Sequence, residues 1–257
     1  MLFEFVADIV KMGFFIVCAY AFLNAYARRR KPRWAVPLTK RRLAVLGMLT
    51  LGVGAVKVIE DVVAKESGPV DEAILWFVRD HVPSGLTAYF EAFTRSGSAI
   101  FLVPVAVVAT LVLLIARHRF EAVVLSASLT AATLFVYVLK AIVGRTRPAL
   151  WESQWYWGSS FPSGHTLSTA AFATAAALCV ARIWPRAGNL AMSLAILWTG
   201  LVALSRLILG VHWPSDVLAA MCIGFFIPLS ISVAFDLRRR HWGREDPAVE
   251  QASAGQG

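Results

Sequence analysis

The sequence predicts an all-α, polytopic transmembrane helical bundle, and three observations carry that expectation. Hydrophobic residues make up 58% of the 257-residue chain and charged residues only 16%, well outside ordinary soluble composition. The apolar residues gather in runs of about twenty, the length a helix needs to cross roughly 30 Å of hydrocarbon. The strongly basic loops between them fall on alternate turns, the asymmetry that orients membrane helices. No run shows the short alternating pattern of a barrel strand, so backbone polar groups in lipid must be satisfied within helices.

Taken in order, the first span is expected over about Phe5 to Tyr26. It lacks both the basic start and the small-residue cleavage site of a signal peptide, which makes it a retained helix. Arg28, Arg29, Arg30, Lys31, Arg33, Lys40, Arg41 and Arg42 follow with no acid among them, which places this loop in the cytoplasm. A second span, Leu43 to Ile59, offers Gly47, Gly52 and Gly54 for close helix contact and Lys57 to reach an interface. The connection from Glu60 to Gly97 holds seven acids against three bases, the reverse of the preceding loop. Its Asp71–Arg79 portion reads as a short amphipathic helix at the surface.

Further spans are expected over Ser98–Ala116, with Pro104 as a kink, and over Phe120–Leu139, His165–Ala181, Leu190–Leu207 and Trp213–Phe235. The basic turns at Arg117–Arg119 and Arg182–Arg186, and the run Arg238–Arg240, then all face the cytoplasm. This gives a six-helix core plus an additional N-terminal transmembrane helix. The domain reading is residues 1–40 for that helix and its basic loop, 41–236 for the membrane core, and 237–257 for a polar, disordered cytoplasmic tail. The +9 net charge is spent on loop orientation, which excludes nucleic acid as the expected partner. Cys18, Cys179 and Cys222 lie within spans without a CxxC spacing and read as buried small hydrophobes. His118, in the tight basic turn, reads as a surface residue.

Three polar clusters stand out on this apolar background, and the span count puts all three on the non-cytoplasmic side. The first is Lys140 to Pro148, where Lys140 ends a helix and Arg147 sits in the following turn, with Arg145 a third candidate cation. An arginine fork can grip two phosphate oxygens, whereas lysine acts as a compact point charge. The second is Phe161-Pro162-Ser163-Gly164-His165-Thr166. Ser163 is a candidate helix cap, Gly164 leaves the backbone open to a ligand, and the first-turn N–H groups with the helix dipole favour an anion. His165 has a reference pKa suited to general acid work. The third is Ser205 to Asp216, where Pro214 opens a helix and His212 and Asp216 stand four residues apart. A carboxylate there can accept from one imidazole nitrogen and leave the other as a nucleophile, while Arg206 adds a guanidinium.

Together these groups fit phosphoryl transfer through a phosphohistidine. His212 would attack, Lys140, Arg147 and Arg206 would stabilise the equatorial oxygens, His165 would serve as acid and then base, and Asp216 would orient His212. With no aspartate-rich nest in the sequence, the cationic side chains are expected to supply the electrostatics without a metal or other cofactor.

Lys140-x6-Arg147-Pro148, Pro162-Ser163-Gly164-His165 and Ser205-Arg206-x5-His212-x3-Asp216 resemble, in this order, the three-part signature of the type 2 phosphatidic acid phosphatase superfamily. The resemblance covers about residues 41–236. It implies a helical core, metal-independent dephosphorylation, His212 as nucleophile, His165 as acid and base, Asp216 as orienter, and Lys140, Arg147, Arg206, Ser163 and Gly164 around phosphate. The first helix departs from the family's usual six-span form.

A site at the outer interface would let a lipid phosphate keep its tail in hydrocarbon, with Trp151, Trp155, Tyr156 and Trp157 bordering the entrance. The expected activity is therefore that of a lipid phosphate or pyrophosphate phosphatase in a bacterial cytoplasmic membrane. By family analogy undecaprenyl pyrophosphate is the favoured substrate, and phosphatidate or phosphatidylglycerol phosphate are the alternatives. Lipid phosphotransfer to an acceptor hydroxyl is a rival reaction. A vanadate-bearing haloperoxidase conflicts with the apolar spans. A transporter or flippase would need broken helices and access from both faces, whereas these ionic clusters share one.

Overall fold

The computed structural model of the chain describes residues 2–30, 42–151 and 158–242. The described residues form α1 (Leu2–Arg30), α2 (Arg42–Val63), α3 (Gly68–His81), α4 (Thr87–Ser96), α5 (Ala99–Ile115), α6 (Arg119–Val143), α7 (Gly164–Ile183), α8 (Gly188–Ile208) and α9 (Pro214–Trp242), with short 3-10 turns at Ser84–Leu86 and Pro185–Ala187. The basic loop residues 31–41, the aromatic residues Trp155, Tyr156 and Trp157, and the tail beyond Trp242 lie outside the described residues. The chain divides into two compact units, residues 1–47 with 230–257, and residues 48–229.

Five described helices are long and apolar enough to cross a membrane, or six if α4 and α5, bent by 43° at their junction, count as one span. Seven spans were expected. α2 stands where the second was placed, but Lys57, Glu60 and Asp61 interrupt the apolar run in its last turns. Lys57 does not reach outward alone there, because its ammonium pairs with Asp61 at 2.8 Å. The bend expected at Pro104 lies instead at Gly97–Ser98, and α5 continues unbroken through the proline. In the first unit, α1 exposes Val10, Phe14, Phe15, Val17 and Phe22, the surface expected of a lipid-facing helix. Cys18 is exposed there rather than buried, whereas Cys179 is buried as expected. α9 stays helical through Arg238–Arg240 to Trp242, past the residue where the tail was expected to begin.

The second unit is built around α7. In its apolar stretch 61% of residues are buried, against 33% in α6 and α8 and 44% in α9. The reason is composition: Ala170, Ala171, Ala173, Ala175 and Ala177 present almost no side chain, so neighbouring backbones can approach closely. Phe172 and Cys179 meet Leu102 and Ala106 of α5 and Leu125 of α6 in one core cluster, while Ala173 and Ala177 meet Ala195 of α8. Against α9 the approach is closest at Gly224, where a Cβ would fall 2.5 Å from Ala170 Cβ and 2.7 Å from the Leu167 carbonyl. Gly52 and Gly54 of α2 face Phe226 and Cys222 of α9, as their spacing suggested, whereas a Cβ at Gly47 would meet nothing.

The polar connection between α2 and α5 is not a surface excursion. α3 turns Asp71 and Leu75 inward and leaves Val70, Ile74, Trp76 and Phe77 exposed. α4 packs on α8, where Trp198 Nε1 donates to Ser96 Oγ at 2.9 Å. Two short helices thus carry buried polar side chains to the same end of the bundle as the three sequence clusters.

Candidate active site

α6 ends at Gly144, whose left-handed backbone (φ 60°) lets its N–H donate back to the Lys140 carbonyl, a stop that glycine makes without steric cost. The chain then runs extended through Arg145–Pro148. It is tied to the second cluster by Ser160 N–H donating to the Arg145 carbonyl at 2.8 Å, and Ser160 Oγ to the Thr146 carbonyl at 3.0 Å. The third cluster joins through Ser163 N–H to the Asp216 carbonyl at 3.2 Å and Trp213 Nε1 to the Thr146 carbonyl at 2.9 Å. Three separate stretches of chain are therefore cross-bonded at one place.

Within it, His212 and Asp216 are 2% and 0% exposed. His212 Nδ1 lies 3.4 Å from Asp216 Oδ2, which also accepts the Trp213 N–H at 2.9 Å. On the opposite side of the ring, Nε2 is 3.3 Å from Arg147 Nη1. A guanidinium can only donate, so this contact assigns the proton to Nδ1 and leaves a lone pair on Nε2. Burial pushes the His212 imidazole from 6.5 down to about 4; the Asp216 hydrogen bond and charge oppose the shift, while the Arg206 and Arg147 charges add to it. The ring is neutral at physiological pH.

The remaining predicted residues share this environment. Lys140 donates to the Ser159 carbonyl, and Arg206, 1% exposed, donates through Nη1 to Thr94 Oγ1 at 2.5 Å. The charges of Arg206, Arg147 and Lys140 and the His212 ring all act on His165, which is half-buried. Ser163 occupies the N-cap position of α7 but makes no side-chain cap bond; its hydroxyl lies 3.0 Å from Thr166 Oγ1 instead. The first-turn N–H groups of α7 therefore keep their capacity for an acceptor. At Gly164 a Cβ would make only ordinary contact, 3.6 Å from Val136 Cγ1, so helix packing does not require glycine there.

Arg145 does not join the cationic group as one more anion-facing side chain. Its Nη1 bonds Asp216 Oδ1 at 2.7 Å and its Nη2 bonds Asp71 Oδ2 at 2.6 Å, occupying the guanidinium with two carboxylates. Asp71, Thr94 and Ser215 are the site residues that the sequence did not disclose. Asp71 looks like any surface acid of an amphipathic helix, and its inward direction is set by tertiary packing. Among the described residues no group of three or more His, Cys, Asp or Glu side chains could hold a metal ion.

A cavity of about 840 Å³ begins at this cluster, with Lys140, Gly164 and His165 in its wall, and continues between α5 and α6 past Val107, Thr110, Thr130 and Ser126. From Lys140 to Ser126 the α6 wall spans about 21 Å at 1.5 Å per residue. Trp151 lies beside the cluster, with Arg79 4.7 Å above its ring and Trp76 5.7 Å away.

The fold and this arrangement define a multi-spanning, all-α membrane protein with an imidazole–guanidinium cluster at one end of its helices. Residues 121–240 match the PAP2 superfamily, and the chain is similar to membrane phosphatases of that superfamily. Phosphatidylglycerophosphatase B of Escherichia coli K12 is 37% identical over 94 residues, covering 37% of this chain and 35% of that protein. The putative undecaprenyl-diphosphatase YbjG of the same organism is 42% identical over 74 residues, covering 29% and 34%. The matches span about a third of the length of these curated relatives. The crystal structure of a transmembrane PAP2-type phosphatidylglycerolphosphate phosphatase from Bacillus subtilis superposes with a TM-score of 0.68 and 23% identity, over 74% of this chain and 96% of that one. At that identity the likeness is one of fold.

Proposed function

We propose that this protein is a lipid phosphate or pyrophosphate phosphatase working through a phosphohistidine on the non-cytoplasmic face of a bacterial cytoplasmic membrane, within a catalytic domain of residues 41–236. The observation that carries the reading is the setting of His212, with Asp216 at Nδ1, Arg147 at Nε2, and Lys140, Arg206 and His165 in the same electrostatic environment. In the first half-reaction Nε2 attacks phosphorus, the bond from phosphorus to the leaving oxygen breaks, and His165 gives that oxygen its proton. In the second, His165 takes a proton from water, the resulting hydroxide attacks phosphorus, and the P–N bond breaks to release inorganic phosphate and restore His212. Asp216 favours the positively charged ring of the intermediate. Lys140, Arg147, Arg206 and the N–H groups beginning at Gly164 hold the equatorial oxygens, with Ser163 shaping that turn. These cations supply the charge that a metal would otherwise supply, so turnover is expected to survive chelation.

The cavity supports a lipid as substrate. It leads from the phosphate-facing residues along about 21 Å of apolar helix, comparable with most of a bilayer's roughly 30 Å hydrocarbon thickness. Undecaprenyl pyrophosphate is the favoured substrate. Phosphatidylglycerol phosphate is its rival, supported by the names of the E. coli phosphatase and the B. subtilis structure. The deciding experiment is phosphate release in detergent from a panel of isoprenyl pyrophosphate, phosphatidylglycerol phosphate, phosphatidate and soluble sugar phosphate. Turnover of the soluble compound alone would reject the lipid reading. Activity that appears only when an acceptor alcohol is added would replace hydrolysis by phosphotransfer.

A further inference from the structure

The proposed chemistry makes no direct use of Asp71, yet this carboxylate is 2% exposed and fully engaged. Its Oδ1 accepts the Ser215 N–H at 2.8 Å, and its Oδ2 accepts Ser215 Oγ at 2.6 Å and Arg145 Nη2 at 2.6 Å. Every one of these partners is adjacent to Asp216. Ser215 precedes it in the first turn of α9, and Arg145 Nη1 is bonded to its Oδ1 at 2.7 Å. Two buried acids thus divide one guanidinium, each taking one arm of the fork.

That division matters because of what a guanidinium does with a single carboxylate. Left to itself it closes both parallel N–H bonds on the two oxygens of the same acid. If both arms of Arg145 turned to Asp216, they would compete for Oδ2, the oxygen that faces His212 Nδ1 and takes the Trp213 N–H. The orienting acid would then be neutralised by arginine instead of serving the imidazole. With Asp71 holding Nη2, Asp216 meets the guanidinium through Oδ1 only and keeps Oδ2 for the ring.

We propose that Asp71, on a helix outside the three sequence clusters, is a positioning residue of the catalytic site: it holds back one arm of Arg145 and fixes the first turn of α9, so that Asp216 Oδ2 remains aimed at His212. The proposal rests on the reading of His212 as nucleophile. A purely structural Asp71 would pin α3 to the bundle, and its loss would reduce only the amount of folded enzyme. A positioning Asp71 changes the quality of every site that remains.

The test measures kcat/KM for lipid phosphate and the inhibition constant for orthovanadate, which mimics the five-coordinate phosphorus formed by attack of His212. The inhibition constant does not depend on the fraction of protein folded. Asp71→Asn, isosteric but uncharged, is expected to lower kcat/KM roughly tenfold to a hundredfold, the usual cost of removing a supporting partner of a site ligand, and to raise the vanadate constant by a similar factor. Combining it with Arg145→Gln should cost less than the product of the two single losses, because both changes release the same arm of the fork. Ser67→Ala, which removes a 3.2 Å bond to Arg145 Nη2 but touches neither Ser215 nor Asp216, should stay within about twofold of wild type in both quantities. If Asp71→Asn lowers turnover while the vanadate constant stays at the wild-type value, or changes neither, the positioning role is wrong. Should Asp71→Asn fail to fold, Arg145→Lys, which keeps charge but gives up the fork, carries the same expectation and the same refutation. A wild-type enzyme that releases no phosphate, or a His212→Ala variant that still does, would instead overturn the phosphatase reading.

Discussion

Arg147 Nη1 lies 3.3 Å from His212 Nε2 while donating to the Val211 carbonyl at 2.8 Å. The nitrogen assigned to attack phosphorus is therefore already in contact with a guanidinium assigned to the phosphate oxygens. An incoming phosphoryl group must enter between them, and the N–H now resting on Nε2 is then free to bond oxygen. Arg147→Lys keeps the charge but loses the planar fork, so kcat/KM is expected to fall on the order of a hundredfold, comparable with loss of one oxyanion donor. Wild-type kcat/KM in the purified lysine variant would refute this role.

Removal of the proposed nucleophile should be far more severe. His212→Ala is expected to lose roughly a thousandfold or more of phosphate release, in line with nucleophile deletions elsewhere. Thermal unfolding of the detergent-purified variant distinguishes lost chemistry from lost protein. Unchanged release with normal unfolding would exclude His212 as the attacking group.

Acid should silence the enzyme only well below neutrality. With the His212 imidazole pushed down to about 4, Nε2 keeps its lone pair, and the acid limb of kcat/KM is expected near pH 4 rather than 6.5. The same shift links stability to pH. An unfolded histidine takes a proton below its ordinary value of 6.5, whereas the folded ring resists until about 4. Across that window the unfolded chain binds more protons, so the folded state loses stability as pH falls. His212→Gln removes this contribution, and its unfolding midpoint should decline less steeply than wild type between those limits. Parallel slopes would speak against the shift.

Gly164→Ala separates binding from folding. The added methyl would meet Val136 at 3.6 Å, an ordinary contact, and alanine favours a helix more than glycine does. Unfolding should therefore be unchanged or slightly later, while KM for lipid phosphate rises about tenfold because the methyl crowds the oxygens at the helix mouth. Unaltered kinetics would mean that phosphate does not approach this backbone.

The groove between α5 and α6 can be blocked without disturbing the core, because Thr130 is exposed and lines the cavity. Thr130→Trp is expected to lower kcat/KM for a long-tailed isoprenyl or diacyl substrate about tenfold, and to leave a short-chain lipid phosphate within twofold. Equal losses on both would place the tail elsewhere.

Much of the fold and of the candidate cluster was legible because membranes impose simple rules. Apolar run length placed the helices, and basic loops fixed their alternation, which brought Lys140, His165 and His212 to one side. The fourfold spacing of His212 and Asp216 anticipated their pairing. Arg145 was misjudged because a cation in a row of cations gives no sign of what it faces. Asp71 and Thr94 were invisible for a related reason: a single acid or threonine on an amphipathic helix reads the same whether it meets water or a buried guanidinium. The break at Gly97–Ser98 falls where the sequence ended the polar connection, whereas Pro104, read as a kink, leaves its helix unbroken.

The match to the PAP2 superfamily spans residues 121–240, yet the partners of two arginines at the cluster, Asp71 for Arg145 and Thr94 for Arg206, come from earlier in the chain. A protein trimmed to the matched segment would retain every signature residue yet lose Asp71 from Arg145 Nη2 and Thr94 from Arg206 Nη1, and breaking a buried ion pair of the first kind costs several kcal/mol. A segment that keeps both of these partners therefore starts ahead of Asp71. Transplanting the signature onto another helical scaffold would have to carry these two donor-acceptor pairs with it.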